Sequence, residues 1–213
     1  VMYHQVNELL FKMILWEMEQ LCHNEHPSTA YFTEKLGRIS RYFDMLSSSF
    51  QIMGDGMEVA QYMKFRNTLT PASGFQSAQF RFIEIYCTRL ENLINEEGRK
   101  RISYEPTMDD YFEHIYWKDA GMNRQTGKKS LTLRLFEEKY MGQFKTLAAE
   151  MKGNTIEEKA NKMANPSEEL KKILREFDHL YNVEWPLVHL NTARHYLDKK
   201  GENKAATGGS EWK

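Results

Sequence analysis

The hydrophobic positions of this chain recur mostly at the three- and four-residue spacing of an amphipathic helix. The clearest such segment covers Tyr3 to Cys22, and a second runs from Ala30 to about Met53 after a break that contains Pro27. Ser28 lies where a hydroxyl group would cap the second segment. The pattern therefore predicts two long helices that are separated by a short loop.

The rest of the chain also favours helices, which are separated by polar, proline-containing or glycine-containing breaks. They are predicted at Met57 to Thr68, Phe75 to about Asn95, Met108 to Trp117, Leu131 to Met151 and Ser167 to about Lys200. The polar stretch Asn154 to Asn165 is expected to be a mobile connector, and Pro186 predicts a kink in the last helix. Since no long alternating pattern and no internal repeat occurs, the expected fold class is all-α, a bundle of long helices.

Composition fits one soluble domain over residues 1–213, with 41% hydrophobic and 28% charged residues. The net charge of -1 gives no electrostatic signal for nucleic acid or an anionic membrane, and no apolar stretch is long enough to span a bilayer. Two cysteines are too few for a disulfide scaffold, so a cytoplasmic location is expected. Because the chain starts in the middle of a helical pattern, we expect that the natural protein extends at both ends.

Two histidines at opposite ends of the chain are candidates for chemistry. His189 lies in an apolar helical stretch with Trp185, where it is either a core residue or an axial ligand of haem iron. A haem held there would be b-type, because the chain contains no CxxCH motif for covalent attachment. Arg194 either forms a surface ion pair or binds a haem propionate. His4 begins the first helix, and in a haem pocket it would be the distal hydrogen-bonding group.

Two further segments could bind the charged groups of a small molecule. Arg66 follows Tyr62 by one helical turn and precedes a loop that contains Ser73 and Gly74. This arginine could bind a carboxylate bidentately, although Ser73 could equally be an ordinary helix cap. The segment Thr207 to Ser210 offers a hydroxyl group and converging backbone amides, or it is a flexible tail.

A zinc site is a weaker alternative at the end of the first helix. Cys22, His23 and His26 are suitable ligand types, but no fourth ligand is evident. Pro27 and the polar surroundings favour a simple helix end there.

Taken in order, these motifs resemble those of the tryptophan 2,3-dioxygenase family over nearly the whole chain. The most specific is the run from Pro71 to Arg81, which reads Pro-Ala-Ser-Gly-Phe-Gln-Ser-Ala-Gln-Phe-Arg. The others become specific through their order: His4-Gln5 with Glu8 and Phe11-Lys12, Phe65-Arg66, Trp185 with His189 and Arg194, and Thr207-Gly208-Gly209-Ser210.

The resemblance implies a helical haem protein that is typically a homotetramer. It also implies oxidative opening of the indole 2,3-bond of L-tryptophan by O2, which gives N-formylkynurenine. By the same match His189 is the iron ligand, and His4 is a catalytic residue that meets the indole N–H. Substrate would be bound by His4, Tyr62, Arg66 and Thr207, and the haem by Ser73, Gly74, His189 and Arg194.

The chain departs from the family pattern at several positions. Pro186 stands where the family usually has arginine, Ala206 replaces a glycine, and Glu211-Trp212 replaces a Ser-Gly pair. The family's N-terminal segment, which completes a neighbouring subunit's pocket, falls outside this sequence. Alternatives are therefore a related haem monooxygenase acting on a tryptophan derivative or another aromatic amino acid, and a non-catalytic haem or tryptophan sensor. A helical interaction scaffold is the simplest further alternative.

Overall fold

The structure, a computed structural model, describes residues 2–56, 58–61, 64, 77–102, 105–123 and 126–200. Within these ranges the regular secondary structure is helical, and only two isolated β-bridges occur, which confirms the all-α class. No helix in the described part of the chain is both long and apolar enough to cross a membrane.

The first two helices occur as predicted, and they pack against each other. Helix α1 covers Met2–His23 and α2 covers Thr29–Gly56. The hydroxyl group of Ser28 accepts a hydrogen bond from the Tyr31 amide at 3.2 Å, which is the expected cap of α2. The face of α1 that carries Ile14 and Met18 is completely buried.

The prediction of one helix up to Asn95 was wrong beyond residue 87. Helix α3 covers Ala78–Cys87 and is followed by a 3-10 turn, Leu90–Asn92, and the short helix α4, Glu96–Arg101. The Asn95 side chain accepts a hydrogen bond from the Gly98 amide at 2.8 Å, and it therefore starts a new helix where the pattern suggested the end of an old one.

The middle of the chain contains more capped elements than the hydrophobic pattern indicates. Helix α5 covers Met108–Glu113, a 3-10 segment covers Tyr116–Gly121, and α6 covers Leu131–Met151. Helix α7, Ile156–Lys162, lies inside the segment that was predicted as a mobile connector, which corrects that prediction. The physical reason is a capping box between Thr155 and Glu158, which supplies hydrogen-bond partners for the first amides of α7.

The last long segment is interrupted by a π turn immediately before Pro186. It consists of α8, Glu168–His179, a π-helical turn, Leu180–Glu184, and α9, Trp185–Lys200. The Trp185 amide donates to the carbonyl of Leu180, five residues back. Proline has no amide hydrogen and its ring crowds the preceding turn of an α-helix, so a wider turn accommodates it. The sequence predicted a kink at Pro186, and the structure has a π-helical turn immediately before that residue.

Candidate functional site

The site is built on α9, where Trp185 and His189 lie one turn apart. Their rings meet edge to face with centroids 5.8 Å apart. Phe50, near the end of α2, contacts both rings, at 5.0 Å from the His189 ring and 5.2 Å from the Trp185 ring. The two aromatic side chains restrict the directions that the His189 imidazole can take.

His4 reaches the same region from the start of α1. Its ring packs edge to face on Tyr3 at 5.6 Å, and Tyr3 packs on Phe50 at 6.2 Å. The Tyr3 hydroxyl group is 3.1 Å from Oγ of Ser49, which ties α1 to α2 beside these rings. Phe50 therefore links two histidines that are 185 positions apart in the sequence.

Protein atoms crowd both imidazoles, although both residues remain exposed to solvent. We call the region lined by these two rings and their aromatic neighbours the recess. Burial and, to a smaller extent, the charge of the nearby His4 lower the pKa of His189 to about 4. Burial also lowers the pKa of His4. Both residues nevertheless keep solvent-accessible surface. Because their pKa values are lowered, both imidazoles are neutral at pH 7.

Aromatic side chains from three helices form the wall next to Trp185. Phe11 of α1 lies 5.8 Å from the Trp185 ring and 5.5 Å from Phe80 of α3. Phe80 is also 6.3 Å from Trp185. This wall excludes water from one side of the recess, which suits a flat apolar ligand.

The start of α3 is fastened to α1 close to His4. The Gln79 amide group donates to the backbone carbonyl of Glu8 at 2.8 Å and to its carboxylate at 2.6 Å. Ser77 caps α3 by accepting a hydrogen bond from the Phe80 amide at 3.2 Å. Gln79, near the end of the run from Pro71 to Arg81, therefore contacts a residue that lies one helical turn from His4.

A buried charged cluster lies behind the aromatic wall, and sequence reasoning missed it. Arg81 and Glu84 form an ion pair at 3.1 Å, with side chains only 6% and 4% exposed. The Arg81 guanidinium donates to the Tyr116 hydroxyl group at 3.0 Å, and that hydroxyl group donates to Glu84. The only signal in the sequence was the three-residue spacing of the two charges, which looks the same in a surface ion pair.

The other predicted site residues are placed less completely. Arg194 is exposed on α9, five positions after His189. Tyr62, Arg66, Ser73, Gly74 and Thr207 lie outside the described residues, so their roles stay predictions. The structure thus brings His4 and His189 together. The roles of the other substrate-binding candidates rest on the sequence alone.

The alternative zinc site has no set of three or more ligand side chains within the described residues. Burial raises the pKa of the Cys22 thiol to about 12, and its sulfur lies 3.9 Å from the Tyr86 carbonyl oxygen. His23 instead contacts the Glu19 carbonyl with Nδ1 at 2.8 Å.

The donor set of the recess fits haem better than an all-protein metal site. Within the described residues no group of three or more His, Cys, Asp or Glu side chains could hold a metal ion. Haem iron needs only one or two axial ligands, because the porphyrin supplies four, and a neutral imidazole with an apolar wall provides one. His189 meets this requirement.

Comparison with known proteins agrees with the motifs. A family model described as tryptophan 2,3-dioxygenase matches residues 1–207. The chain is 38% identical over 85 residues to a tryptophan 2,3-dioxygenase of Ruegeria sp., which covers 39% of this chain and 30% of the relative. It is 31% identical over 130 residues to that of Anopheles gambiae, which covers 58% of this chain and 30% of the relative.

These alignments span about 30% of the length of the two curated relatives. No solved structure matches the chain. The family model nevertheless covers nearly all of the sequence, and it includes both histidines of the recess. The chain therefore belongs to the tryptophan 2,3-dioxygenase family.

Proposed function

We propose that this chain opens the indole 2,3-bond of L-tryptophan with O2 and gives N-formylkynurenine. In this reaction the carbon–carbon bond breaks and each carbon receives one oxygen atom. One structural observation carries the proposal: two neutral histidines from opposite ends of the chain share an aromatic recess. We take L-tryptophan as the proposed substrate because the chain belongs to this family.

The residues of this recess would hold haem b, which when bound would supply the iron chemistry for O2. His189 would bind its iron, and Phe50 and Trp185 hold the imidazole in orientation. Arg194 would bind a propionate, since a guanidinium group pairs well with a carboxylate. Ser73 and Gly74 would line the oxygen side of the haem, where a glycine leaves space for the ligands.

His4 would orient the substrate ring. Its lowered pKa keeps the imidazole neutral, so one ring nitrogen can accept a hydrogen bond from the indole N–H. This role needs no proton transfer by His4, because positioning of the 2,3-bond against O2 supplies much of the rate. The aromatic wall of Phe11, Phe80 and Trp185 would exclude water during the reaction.

Arg66 and Thr207 would hold the amino-acid end of the substrate, with Tyr62 in support. The guanidinium group of Arg66 would bind the carboxylate, and the Thr207 hydroxyl group would contact the ammonium or carboxylate group. We also propose that residues 1–213 act as one haem-binding domain in a cytoplasmic homotetramer.

The test is a spectrum and a product analysis of the haem-loaded protein. We expect a Soret band that shifts when L-tryptophan is added to the reduced form, and a product heavier than tryptophan by both atoms of ¹⁸O2. His189→Ala should lose the Soret band of the axially ligated haem, while His179→Ala, an exposed histidine on α8, should keep it.

Each other outcome names an alternative. Incorporation of one labelled oxygen atom would show a monooxygenase. Binding of L-tryptophan without turnover would show a sensor. A His189→Ala protein that keeps an unchanged Soret band would refute the assignment of the iron ligand.

A further inference from the structure

Helix α1 exposes a continuous row of large apolar side chains. These are Met2, Val6, Leu9, Met13 and Trp16, exposed by 80%, 52%, 59%, 38% and 64%. They follow one another at alternating steps of four and three residues, which is the spacing of a helix face that packs against another helix. We call this row the α1 stripe.

The α1 stripe does not belong to the recess. Glu8 and Phe11 mark the side of α1 that faces α3 and α9, through their contacts with Gln79 and Trp185. Successive residues of an α-helix are rotated by about 100°, so Met13 points roughly 160° away from Phe11. Substitutions in the stripe therefore leave the aromatic wall untouched.

Helix α2 widens this apolar surface. Tyr42 lines a shallow groove of about 470 Å³ together with Leu9, Met13 and Trp16 of the stripe. Met45 follows Tyr42 by three residues, so it lies on the same side of α2, and it is 55% exposed. The exposed face is thus two helices wide.

Charged residues on the edge of the stripe indicate what fits it. Lys12 and Glu19 also line the groove, are both exposed, and lie seven residues apart on one flank. An antiparallel second copy of α1 can place its Glu19 beside Lys12 and its Lys12 beside Glu19. The same register sets Met13 against Trp16 of the second copy, a favourable sulfur–aromatic pair.

The opposite charges also distinguish this register from its neighbour. A shift of one heptad would set Leu9 against Met13 of the second copy and would bring the two Lys12 side chains together. Across a two-fold axis the Lys12–Glu19 pair occurs twice in the first register. The shifted register has instead one repulsive contact between the two Lys12 side chains. The flank is therefore complementary to itself.

The size of the face is sufficient for a stable dimer. Helix α1 has 22 residues, so it is about 33 Å long at 1.5 Å per residue. Two adjacent helices are about 20 Å wide, which gives roughly 650 Å² per protomer. The total of about 1,300 Å² lies within the range of specific protein–protein interfaces.

We propose that a second copy of this chain covers the α1 stripe, with the two α1 helices antiparallel across a two-fold axis. This inference rests on the proposed self-association and assigns one of its interfaces. It is independent of the tryptophan chemistry, because none of its residues lies in the recess.

The experiment is a charge exchange followed by sedimentation equilibrium over a concentration series. Lys12→Glu and Glu19→Lys, each alone, create like-charge contacts twice per dimer. We expect each to raise the dissociation constant across this interface by at least about ten-fold. The double variant Lys12→Glu/Glu19→Lys exchanges the two charges and should restore association to within about three-fold of the original.

Lys172→Glu, an exposed charge reversal on α8, is the matched control and should leave association unchanged. Circular dichroism of each variant checks that the helices remain folded. An original chain that stays monomeric at every concentration would overturn both the interface and the proposed self-association. Single reversals that leave the dissociation constant unchanged would overturn the interface alone. A double variant that stays dissociated would do the same. Neither result would affect the spectral test of the recess.

Discussion

At the residue scale, the ion pair behind the aromatic wall is buried, although its three-residue spacing is equally typical of a pair on the surface of a helix. Arg81 and Glu84 are almost fully enclosed, and Tyr116 bonds to both of them. The Arg81 guanidinium also lies 4.9 Å from the centre of the Phe80 ring, a cation–π contact. Arg81 and Glu84 therefore stabilise the packing of the aromatic wall only while both charges are present.

Loss of one partner should cost much more than loss of both. Arg81→Met leaves a buried carboxylate without its cation and should lower the free energy of unfolding by about 3–5 kcal/mol. The double variant Arg81→Met/Glu84→Leu should be less destabilised, because no unpaired charge remains. Urea denaturation followed by circular dichroism measures both values. Lys100→Met, which breaks the exposed pair with Glu96, should cost at most about 1 kcal/mol, and an equal cost for Arg81→Met would contradict the prediction.

The proposed carboxylate anchor gives a second prediction at this scale. Arg66→Ala should lower kcat/KM for L-tryptophan by about 30-fold or more, mainly through KM, because an enclosed carboxylate loses its cation. Steady-state kinetics measure the change, and Lys64→Ala, an exposed lysine two positions earlier, should have little effect. An Arg66→Ala enzyme with unchanged kinetics would remove this residue from the substrate site.

At the element scale, the π turn before α9 is the clearest case of a local sequence feature with a non-local consequence. Leu180–Glu184 contains one residue more per turn than an α-helix would. An added residue rotates everything after it, so the turn sets the direction in which Trp185 and His189 face Phe50. The proline that causes the interruption thus bears on the geometry of the candidate iron ligand.

Replacement of the proline should stabilise the helix. Pro186→Ala restores a backbone amide and a residue of high helix propensity, so the free energy of unfolding should rise by about 1–3 kcal/mol. Thermal denaturation of the haem-free chain would show this as a higher Tm. A lower Tm would mean that the wide turn is favoured by its surroundings and not by the proline.

At the scale of the whole molecule, the recess depends on contacts between distant parts of the chain. Gln79 joins α3 to Glu8, and the buried Lys159 of α7 donates to the Asn24 carbonyl at 2.7 Å, across 135 positions. Phe50 then connects the first and last helices of the described chain. The site forms only when these helices have packed.

Binding of haem should therefore stabilise the entire fold. A ligand that binds only the folded state at about 100 times its dissociation constant contributes about 2.7 kcal/mol. For a chain of this size that corresponds to a rise in Tm of roughly 5–10 °C. Differential scanning calorimetry with added haem should show this rise for the original chain and lose most of it for His189→Ala. An equal rise in both proteins would place the haem elsewhere.

Much of the element order was predictable, because it depends on local signals. The apolar spacing of α1 and the Ser28 cap of α2 act within a few residues, and the structure confirms them. The kink predicted at Pro186 has its counterpart in the π turn just before that residue. The helix in the supposed connector and the early end of α3 were missed, because short polar caps at Thr155 and Asn95 override a weak hydrophobic pattern. The residues of the candidate site were predicted from the resemblance to the family. No spacing in the sequence indicated that His4 and His189 lie close together.

The sequence by itself determined the helical class, the family motifs and the residue types that can bind haem and an amino acid. Helical periodicity and motif order are properties of neighbouring residues, so they can be read along the chain. Only the tertiary structure decided that two distant imidazoles share a recess, that Arg81 and Glu84 are buried, and that the side chains of the α1 stripe are exposed among the described residues. These features depend on which faces the packed helices turn toward one another, and that is settled by the burial of the whole core and not by any single segment.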